Sequence, residues 1–183
     1  MSLPATTLDS PPAPSSEPLR PLSAMEHGIW KTDLGAPLNF TTVMRLQGPV
    51  SEAALRAALP VLRARHTHLR TRIVAEGSGA VFRTDDVPPL PLRVVPGREG
   101  RWLEELEREI NHPFPEPGPL GRFTLLEGEP GTTWLLATLH HSVADGMSGV
   151  FLLRDLVRCL AQLAAGEAPR LPPLEAPGPV DAL

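Results

Sequence analysis

The chain has 183 residues, of which 42% are hydrophobic, so it can build one core but hardly two complete domains. Its formal net charge of −4 comes without a block of lysines or arginines, which argues against nucleic acid or an anionic membrane surface as a partner. The single cysteine, Cys159, excludes an intrachain disulfide, and no apolar run suits a signal peptide or a membrane span, so we expect a cytoplasmic protein.

Proline-rich segments at both ends are expected to lie outside the folded part of the chain. Six of the 23 prolines come before residue 22, and five more lie between residues 169 and 179. We therefore expect residues 1–21 to form a disordered tail, residues 22–166 to fold, and residues 167–183 to form a tail or a linker.

Two regions in the first half of the folded part predict β-strands. The stretch Phe40–Leu46 is rich in β-branched and apolar residues and ends at the breaker Gly48-Pro49. Further along, His68–Val74 and Ala80–Arg83 predict strands that are joined by a tight turn at Gly77-Ser-Gly79. We expect this second pair to form a hairpin.

A helix is predicted between these strands, over residues 52–65. Ser51 suits the N-cap position, and apolar residues recur at helical spacing at Leu55, Ala58, Leu59 and Leu62. Pro60 interrupts this pattern, and an interior proline costs about 3 kcal/mol in a regular helix. We therefore expect a kink near Leu59, or a break into two short helices.

Two more helices are predicted in the second half. Over Arg98–Asn111 the apolar residues Leu103, Leu106 and Ile110 share one face, which predicts a surface helix with a solvated acidic face. The last helix is predicted over Ser148–Ala165, with Gly166 just after its end. Its predicted inward stripe consists of Phe151, Leu152, Leu156, Val157, Leu160 and Leu163.

The remaining segments complete a mixed fold. Leu120–Leu126 and Thr132–His141 predict antiparallel strands, and the prolines between residues 113 and 119 predict an extended loop before them. Because helices and strands alternate without an internal repeat, we predict an α/β (α+β) sandwich with a mostly antiparallel sheet covered by helices.

The strongest functional signal is a His-His-x-x-x-Asp-Gly motif formed by His140, His141, Asp145 and Gly146. Successive side chains of a strand point to opposite faces, so the two histidines cannot both serve one site. No third ligand stands at a metal-binding spacing, so we expect no metal. One histidine is expected to be functional and its neighbour structural. A purely structural, hydrogen-bonded pair at a strand end is the alternative.

The functional interpretation requires a histidine that can accept a proton. A neutral imidazole acts as a general base when its other nitrogen is held by a hydrogen bond that determines the tautomer. We expect Asp145 to hold the loop by binding an arginine or loop amides, and Gly146 to adopt backbone angles closed to other residues. The remaining histidines are expected to be surface or packing residues, namely His27, His66, His68 and His112.

Several stretches resemble a known superfamily of acyltransferases. Besides the His-His loop, Leu22-Ser-Ala-Met-Glu-His-Gly-Ile-Trp30 and Arg65-His-Thr-His-Leu-Arg-Thr71 resemble the first two motifs of the condensation domains of nonribosomal peptide synthetases. Asn111-His-Pro-Phe114 adds a weaker match. The same superfamily includes chloramphenicol acetyltransferase and the PapA-type polyketide-associated acyltransferases, which resemble the chain around the His-His loop.

The resemblance implies a fold and an activity. The fold would be a chloramphenicol acetyltransferase-like lobe, and His141 would be the general base for acyl transfer to an alcohol or an amine. The acyl donor would be a thioester on coenzyme A or on the phosphopantetheine arm of an acyl carrier protein, without a permanently bound cofactor. The aspartate of the motif, Asp145, would pair with an arginine, for which Arg70 or a residue outside the chain is a candidate.

The chain also departs from the pattern of condensation domains. Their first motif usually has glutamine where Glu26 or His27 stands, and their second helix lacks the counterpart of Pro60. They contain two lobes, whereas residues 22–166 match only the N-terminal lobe, which would make residues 167–183 a tail or an inter-lobe linker. The chain could thus require a complementary C-terminal lobe, form a trimer as chloramphenicol acetyltransferase does, or be a non-catalytic lobe for carrier-protein docking or scaffolding.

Overall fold

The computed structural model describes residues 19–48, 50–116, 118–127, 131–175 and 178, so most of the predicted N-terminal tail lies outside the described residues. The strands are β1 (Arg20–Pro21), β2 (Asn39–Gln47), β3 (Arg72–Glu76), β4 (Gly79–Arg83), β5 (Leu92–Pro96), β6 (Gly121–Glu127) and β7 (Thr132–His140). The α-helices are α1 (Ala24–Asp33), α2 (Glu52–Arg65), α3 (Arg101–Asn111) and α4 (Gly146–Ala164), and a 3₁₀ turn spans Thr67–Arg70.

The strands form two sheets. The larger sheet has the order β2-β7-β6-β5, and the smaller sheet has the order β1-β4-β3. All neighbouring strands are antiparallel except β5 and β6, which are parallel. The predicted α/β sandwich with a mostly antiparallel sheet is therefore confirmed, and so is the hairpin of β3 and β4.

Helices α2 and α4 pack on one face of the larger sheet and form the main core with it. The buried faces of both helices are aliphatic, and they pack against the inward-facing residues of β6 and β7. The fully buried members of this cluster include Leu55, Ala58, Leu62, Leu125, Leu135, Ala137, Leu156 and Cys159. Ser51 caps α2 by accepting a hydrogen bond from the Ala54 amide at 3.1 Å, as predicted.

The predicted break of α2 at Leu59 is wrong, because a single helix runs through Pro60. Pro60 lies on the exposed side of the helix, where the carbonyl group that loses its partner can bind water. The opposite side is held by Leu55, Leu59 and Leu62, which are buried. Packing of this apolar face compensates for the missing backbone hydrogen bond.

Helix α3 covers the other face of the larger sheet. Of the three apolar residues predicted to face inward, Leu106 packs on the core beneath the helix, whereas the other two do not. Leu103 and Ile110 are 54% and 39% exposed, whereas Glu105 and Glu109 are buried. The prediction was wrong because arginines of the sheet neutralise the two carboxylates. Arg93 pairs with both of them, and Arg122 binds Glu109 at 2.5 Å.

Three further differences concern single elements. His68–Val74 is not one strand, because the chain forms the 3₁₀ turn before β3 begins at Arg72. The elements β1, α1 and β5 were not predicted, and β1 pairs with β4 although Arg20 and Pro21 were expected to belong to the disordered tail 1–21. In α4, Phe151 and Val157 were expected to face inward, but both are exposed. Gly166 follows α4 with a φ of 75°, as the predicted left-handed C-terminal residue.

The close packing of α4 on the sheet depends on a glycine inside the helix. A Cβ atom at Gly149 would lie 2.3 Å from Thr42 Oγ1 and 3.1 Å from the Phe40 ring. A larger residue would therefore push α4 away from β2. In the described part of the chain, no helix is both long and apolar enough to cross a membrane.

Candidate active site

The candidate site lies where β7 ends and α4 begins. His140 is the last residue of β7, and residues 141–145 form the loop before the first residue of α4. The His140 ring is buried beside Phe114, in a cavity of only about 20 Å³ that Asp33 also lines. His141 is exposed and lines a separate cavity of about 990 Å³. The two rings thus face different cavities, as the alternation of strand side chains predicts.

Hydrogen-bond partners assign opposite tautomers to the two histidines. The Nδ1 atom of His141 lies 3.0 Å from the carbonyl oxygen of Ala144, which can only accept, so Nδ1 is protonated and Nε2 is free to accept a proton. The Nδ1 atom of His140 lies 3.1 Å from the Ser142 amide, which can only donate, so its proton is on Nε2. His141 therefore has the tautomer that a general base requires.

The His140 ring is neutral in this environment. Burial lowers its pKa, and the nearby carboxylate of Asp33 opposes this effect only in part. The Ser142 hydroxyl lies 2.7 Å from His140 Nδ1, so the unprotonated nitrogen has two donors. These contacts hold His140 as a structural member of the loop.

Asp145 serves as the N-cap of α4. Its Oδ1 atom accepts hydrogen bonds from the Ser148 amide at 2.8 Å and the Ser148 hydroxyl at 2.7 Å, and these bonds lower the pKa of Asp145. Arg70, the candidate partner, donates instead to Thr67 Oγ1 at 3.4 Å. Within the described residues Asp145 has no arginine partner, because its carboxylate faces the free amides of the helix start.

The reason predicted for Gly146 was also wrong. This residue is the first of α4, and its φ angle lies outside the left-handed region that only glycine adopts readily. A Cβ atom there would meet nothing within 4 Å. Of the two glycines in the first turn of α4, Gly149 is the one that close packing requires.

The cavity beside His141 is mostly apolar, with a few polar groups. Its walls come from α1, the 3₁₀ turn, the His-His loop, the start of α4 and the segment after it. Apolar lining residues include Met25, Ile29, Leu69, Leu139, Val143, Leu152, Pro173 and Leu174, and polar ones include Glu26, His66, His68, Ser142 and Ser148. Such a surface suits a largely apolar ligand that a few polar groups orient.

Two histidines that the sequence suggested were surface or packing residues line this cavity as well. His68 Nδ1 donates to the carbonyl oxygen of Val143 at 3.1 Å, which holds the same loop. Its buried Nε2 atom has no protein partner within the described part of the chain. Burial lowers the pKa of both His66 and His68, although Asp155 and the Val143 carbonyl respectively oppose this. Their place in the Arg65–Thr71 motif was the available signal.

The segment after α4 closes one side of the cavity. Arg65, at the end of α2, pairs with the buried Asp155 at 2.7 Å and also donates to the carbonyl oxygen of Pro172. The Leu174 amide donates to the Arg65 carbonyl at 3.2 Å. Residues 171–175, which lie in the predicted tail or linker, therefore pack against the end of α2.

The cost of burying the Glu26 carboxylate is offset by neighbouring hydrogen-bond donors. Burial would raise the pKa of this carboxyl group, but hydrogen bonds from Arg20 and the Ser23 amide outweigh it, so the pKa is lowered. Arg20 binds both carboxylate oxygens, at 2.6 and 2.7 Å. Glu26 also forms a capping box with Ser23 at the start of α1. The buried Glu26 carboxylate is thus paired on both of its oxygens.

The described residues contain no group of three or more histidine, cysteine or acidic side chains placed to hold a metal ion.

A family model described as "Condensation domain" matches residues 20–176. The chain belongs to the condensation-domain family. This match covers the first two motifs, the His-His loop and α4, and it includes the segment that packs on Arg65.

Curated relatives of this condensation domain are large synthetases. It is 35% identical over 176 residues to the phosphinothricin tripeptide synthetase PhsC of Streptomyces viridochromogenes, covering 90% of this chain and 16% of that protein. It is 34% identical over 169 residues to a probable non-canonical nonribosomal peptide synthetase, CymA, of Salinispora arenicola, covering 90% of this chain but 2% of that one. The chain thus spans a small part of these relatives.

Solved structures agree with the fold. The first condensation domain of the calcium-dependent antibiotic synthetase superposes with a TM-score of 0.75 at 22% identity, over 86% of this chain and 42% of that one. The X-domain from teicoplanin biosynthesis gives a TM-score of 0.73 at 29% identity, over 89% of this chain and 37% of that one. The chloramphenicol acetyltransferase-like fold that the resemblance implied is confirmed.

Proposed function

We propose that this condensation domain takes part in acyl transfer from a thioester to an amine or alcohol, with His141 as the general base. The observation that supports this most is the arrangement of the His141 ring, whose Nδ1–H is held by the Ala144 carbonyl and which lines the open cavity, so that Nε2 is left to accept a proton. The adjacent His140 is buried and cannot serve that cavity.

The proposed reaction uses one proton transfer at His141. As the nitrogen or oxygen of the acceptor attacks the thioester carbonyl, His141 Nε2 takes its proton and a tetrahedral oxyanion forms. The intermediate collapses with release of the thiolate, which receives the proton from the imidazolium. The ring returns to its starting tautomer, since the Ala144 carbonyl keeps the other proton on Nδ1.

The donor is proposed to be an acyl group on coenzyme A or on the phosphopantetheine arm of a carrier protein. The apolar walls of the cavity support an acyl chain as one ligand, and the histidine and serine side chains supply a few polar contacts. The acyl thioester is a substrate in this proposal, and no permanently bound cofactor takes part.

The decisive experiment compares His141→Ala with a matched variant, His112→Ala. His112 is an exposed histidine away from the cavity lining. With an acyl-coenzyme A or acyl-N-acetylcysteamine donor and an amine acceptor, His141→Ala should slow product formation by about 10²–10⁴-fold. The thermal unfolding midpoint should be unchanged, because the ring is exposed. Equal, measurable rates in both variants, with a co-expressed C-terminal lobe present, would reject His141 as the base.

The same comparison addresses the alternative of a non-catalytic lobe. A docking or scaffolding lobe would bind an acyl carrier protein equally well with either variant and would release no thiol from the thioester. Thiol release measured with a chromogenic disulfide, alongside carrier-protein binding, separates these two functions.

We also propose that a complementary C-terminal lobe packs on α4. The exposed side of α4 is apolar, with Met147, Val150 and Phe151 all at least 46% exposed. The helix begins directly after the loop that contains His141. This chain covers only 42% and 37% of the two matched solved chains. A lobe seated there would wall the open side of the cavity.

Phe151→Asp tests this second lobe. The variant should lose co-purification with a co-expressed C-terminal lobe, whereas Leu34→Asp, at another exposed apolar residue, should retain it. A trimer of the chain alone that Phe151→Asp dissociates would instead support the arrangement of chloramphenicol acetyltransferase. Sedimentation velocity of both variants gives the assembly state.

A further inference from the structure

Asp33, the last residue of α1, binds two separate parts of the chain with its two carboxylate oxygens. Oδ1 accepts a hydrogen bond from the Leu38 amide at 2.6 Å. Oδ2 lies 3.3 Å from Nε2 of His140. The carboxylate side chain is only 13% exposed, so both contacts are largely shielded from water.

Both contacts lead directly to the backbone around His141. The Leu38 carbonyl accepts the His141 amide at 2.9 Å. On the other side, His140 Nδ1 accepts the Ser142 amide at 3.1 Å and the Ser142 hydroxyl at 2.7 Å. The backbone amides of two consecutive loop residues therefore depend on partners that Asp33 holds.

The carboxylate also determines which nitrogen of His140 is protonated. An ionised carboxylate can only accept, so it requires the proton on Nε2. That leaves Nδ1 as the acceptor that the Ser142 amide needs. A proton on Nδ1 would place two donors against each other and would displace Ser142 from the ring.

We propose that Asp33 is a positioning residue for His141, acting through His140 and Leu38 and not by touching a substrate. The proposal rests on the proposed function only in that it explains what positions His141 as the base. Its structural part, the tautomer of His140 and the geometry of the loop, can be measured without any turnover.

Asp33→Asn provides a sharp test, because the two contacts constrain the orientation of the amide. The Leu38 amide requires the oxygen of the new side chain, so the NH₂ group must face His140 Nε2. That group donates, and it therefore favours the His140 tautomer with the proton on Nδ1. The predicted result is a clash of donors at Ser142 and a loop that no longer holds the His141 ring.

The experiment uses ¹⁵N NMR of the ring nitrogens in the full chain, labelled at its six histidines. In the native protein His140 should be protonated on Nε2 and His141 on Nδ1. In Asp33→Asn the His140 proton should move to Nδ1, and the His141 nitrogens should lose their distinct signals as the ring reorients. Asp86→Asn is the matched control at an exposed position, and it should leave both histidines unchanged.

A native protein with the His140 proton on Nδ1 would overturn the proposal without any variant, and so would an unchanged His140 in Asp33→Asn. Should Asp33→Asn fail to fold, Ser142→Ala decides. It keeps the backbone donor and should keep the native tautomer of His140, and a switch to Nδ1–H would contradict the proposed role of that amide.

Kinetics then distinguish this proposal from the proposed function. If the native domain transfers acyl groups, Asp33→Asn should lower kcat by about 10²-fold with little change in KM, as expected for a displaced catalytic group. An unchanged kcat would overturn the positioning role. If the native domain shows no transfer even together with a co-expressed C-terminal lobe, the proposed function fails, while the NMR result still decides how Asp33 acts on the loop.

Discussion

The two faces of the larger sheet are packed by different chemistry. The face under α2 and α4 is aliphatic, and Leu135 of β7 and Leu156 of α4 are fully buried in the core that they share. The face under α3 is apolar only at one end, where Trp102 stacks on Trp134 at 4.9 Å between ring centroids. Its other end is a buried network of ions and hydroxyl groups, made by Arg93, Glu105, Glu109, Arg122, Thr124 and Thr138.

The difference shows what a buried charge requires. Glu109 accepts hydrogen bonds from Arg93, Arg122 and Thr124. Burial alone would raise its pKa, but these partners outweigh burial and lower the pKa to about 2. The ionic end of the α3 face is therefore stable only as a complete set, whereas each leucine of the other face contributes by its own buried area.

The largest effect is expected where this network loses its centre. Glu109→Leu would leave Arg122 without its carboxylate in a mostly buried place, and we expect a loss of about 3–5 kcal/mol in the free energy of unfolding. Glu107→Leu, on the exposed side of the same helix, is the control and should cost little. Urea unfolding measures both, and equal stabilities would show that the network adds nothing.

The aliphatic face should respond almost as strongly, but through a cavity. Leu135→Ala removes a fully buried side chain of β7 from the core shared with α2 and α4, and we expect it to lower the free energy of unfolding by about 2–5 kcal/mol. Leu135→Met is the matched variant of similar volume and should cost less than about 1.5 kcal/mol. A similar loss in both variants would point to strain instead of a cavity.

The buried histidines and the α3 network should lower the free energy of unfolding in different pH ranges. Burial lowers the pKa of His66, His68 and His140 below 6.5, so the unfolded chain binds more protons and the free energy of unfolding falls as the pH falls below 6.5. The Glu109 contribution is present above pH 4.5 and is lost only as the pH falls toward about 2. Urea unfolding from pH 7 to pH 3 would show both steps.

A single variant checks the assignment of the upper step. His68→Asn removes one of the three titrating groups, so the slope of stability against pH between 6.5 and 5 should decrease by up to about 1.4 kcal/mol per pH unit. The response below pH 4.5 should be unaffected. An unchanged upper slope would mean that His68 is not among the groups that take up protons on unfolding.

The smallest effect is expected on the outer side of α3. Leu103 lies 54% exposed, so Leu103→Ser should change the free energy of unfolding by about 0.5 kcal/mol or less. The helical pattern alone predicted this residue to face the core. A loss as large as that of Leu135→Ala would restore that prediction and reverse the orientation of α3.

The elements that could be predicted are those with local, regular signals. β2, α2, β6, β7 and α4 lie close to their predicted bounds, because strand alternation, helical spacing and the cap at Ser51 act within a few residues. Strand β5 is short and follows a run of prolines, and α3 buries carboxylates. In both cases the stabilising partners stand in other segments of the chain.

The directions of the two histidines in the site could be predicted from the sequence, but the residues that hold the loop around them could not. The opposite directions of His140 and His141 follow from the geometry of a strand. The contacts of Asp33, His68 and Gly149 come from three other regions of the chain, which the fold brings to one loop. The expected partnership of Arg70 with Asp145 is absent from the described residues because Asp145 caps α4.

Residue order and spacing specified the main strands and helices and the opposite directions of the two histidines, since each depends on neighbours along the chain. The family and the choice of His141 came from the resemblance of short motifs to condensation domains. The tautomers of the two histidines, the buried side of α3 and the wall formed after α4 depend on donors and charges from distant segments. These features arise only when folding brings such groups within hydrogen-bond distance and removes the water that would otherwise compete for them.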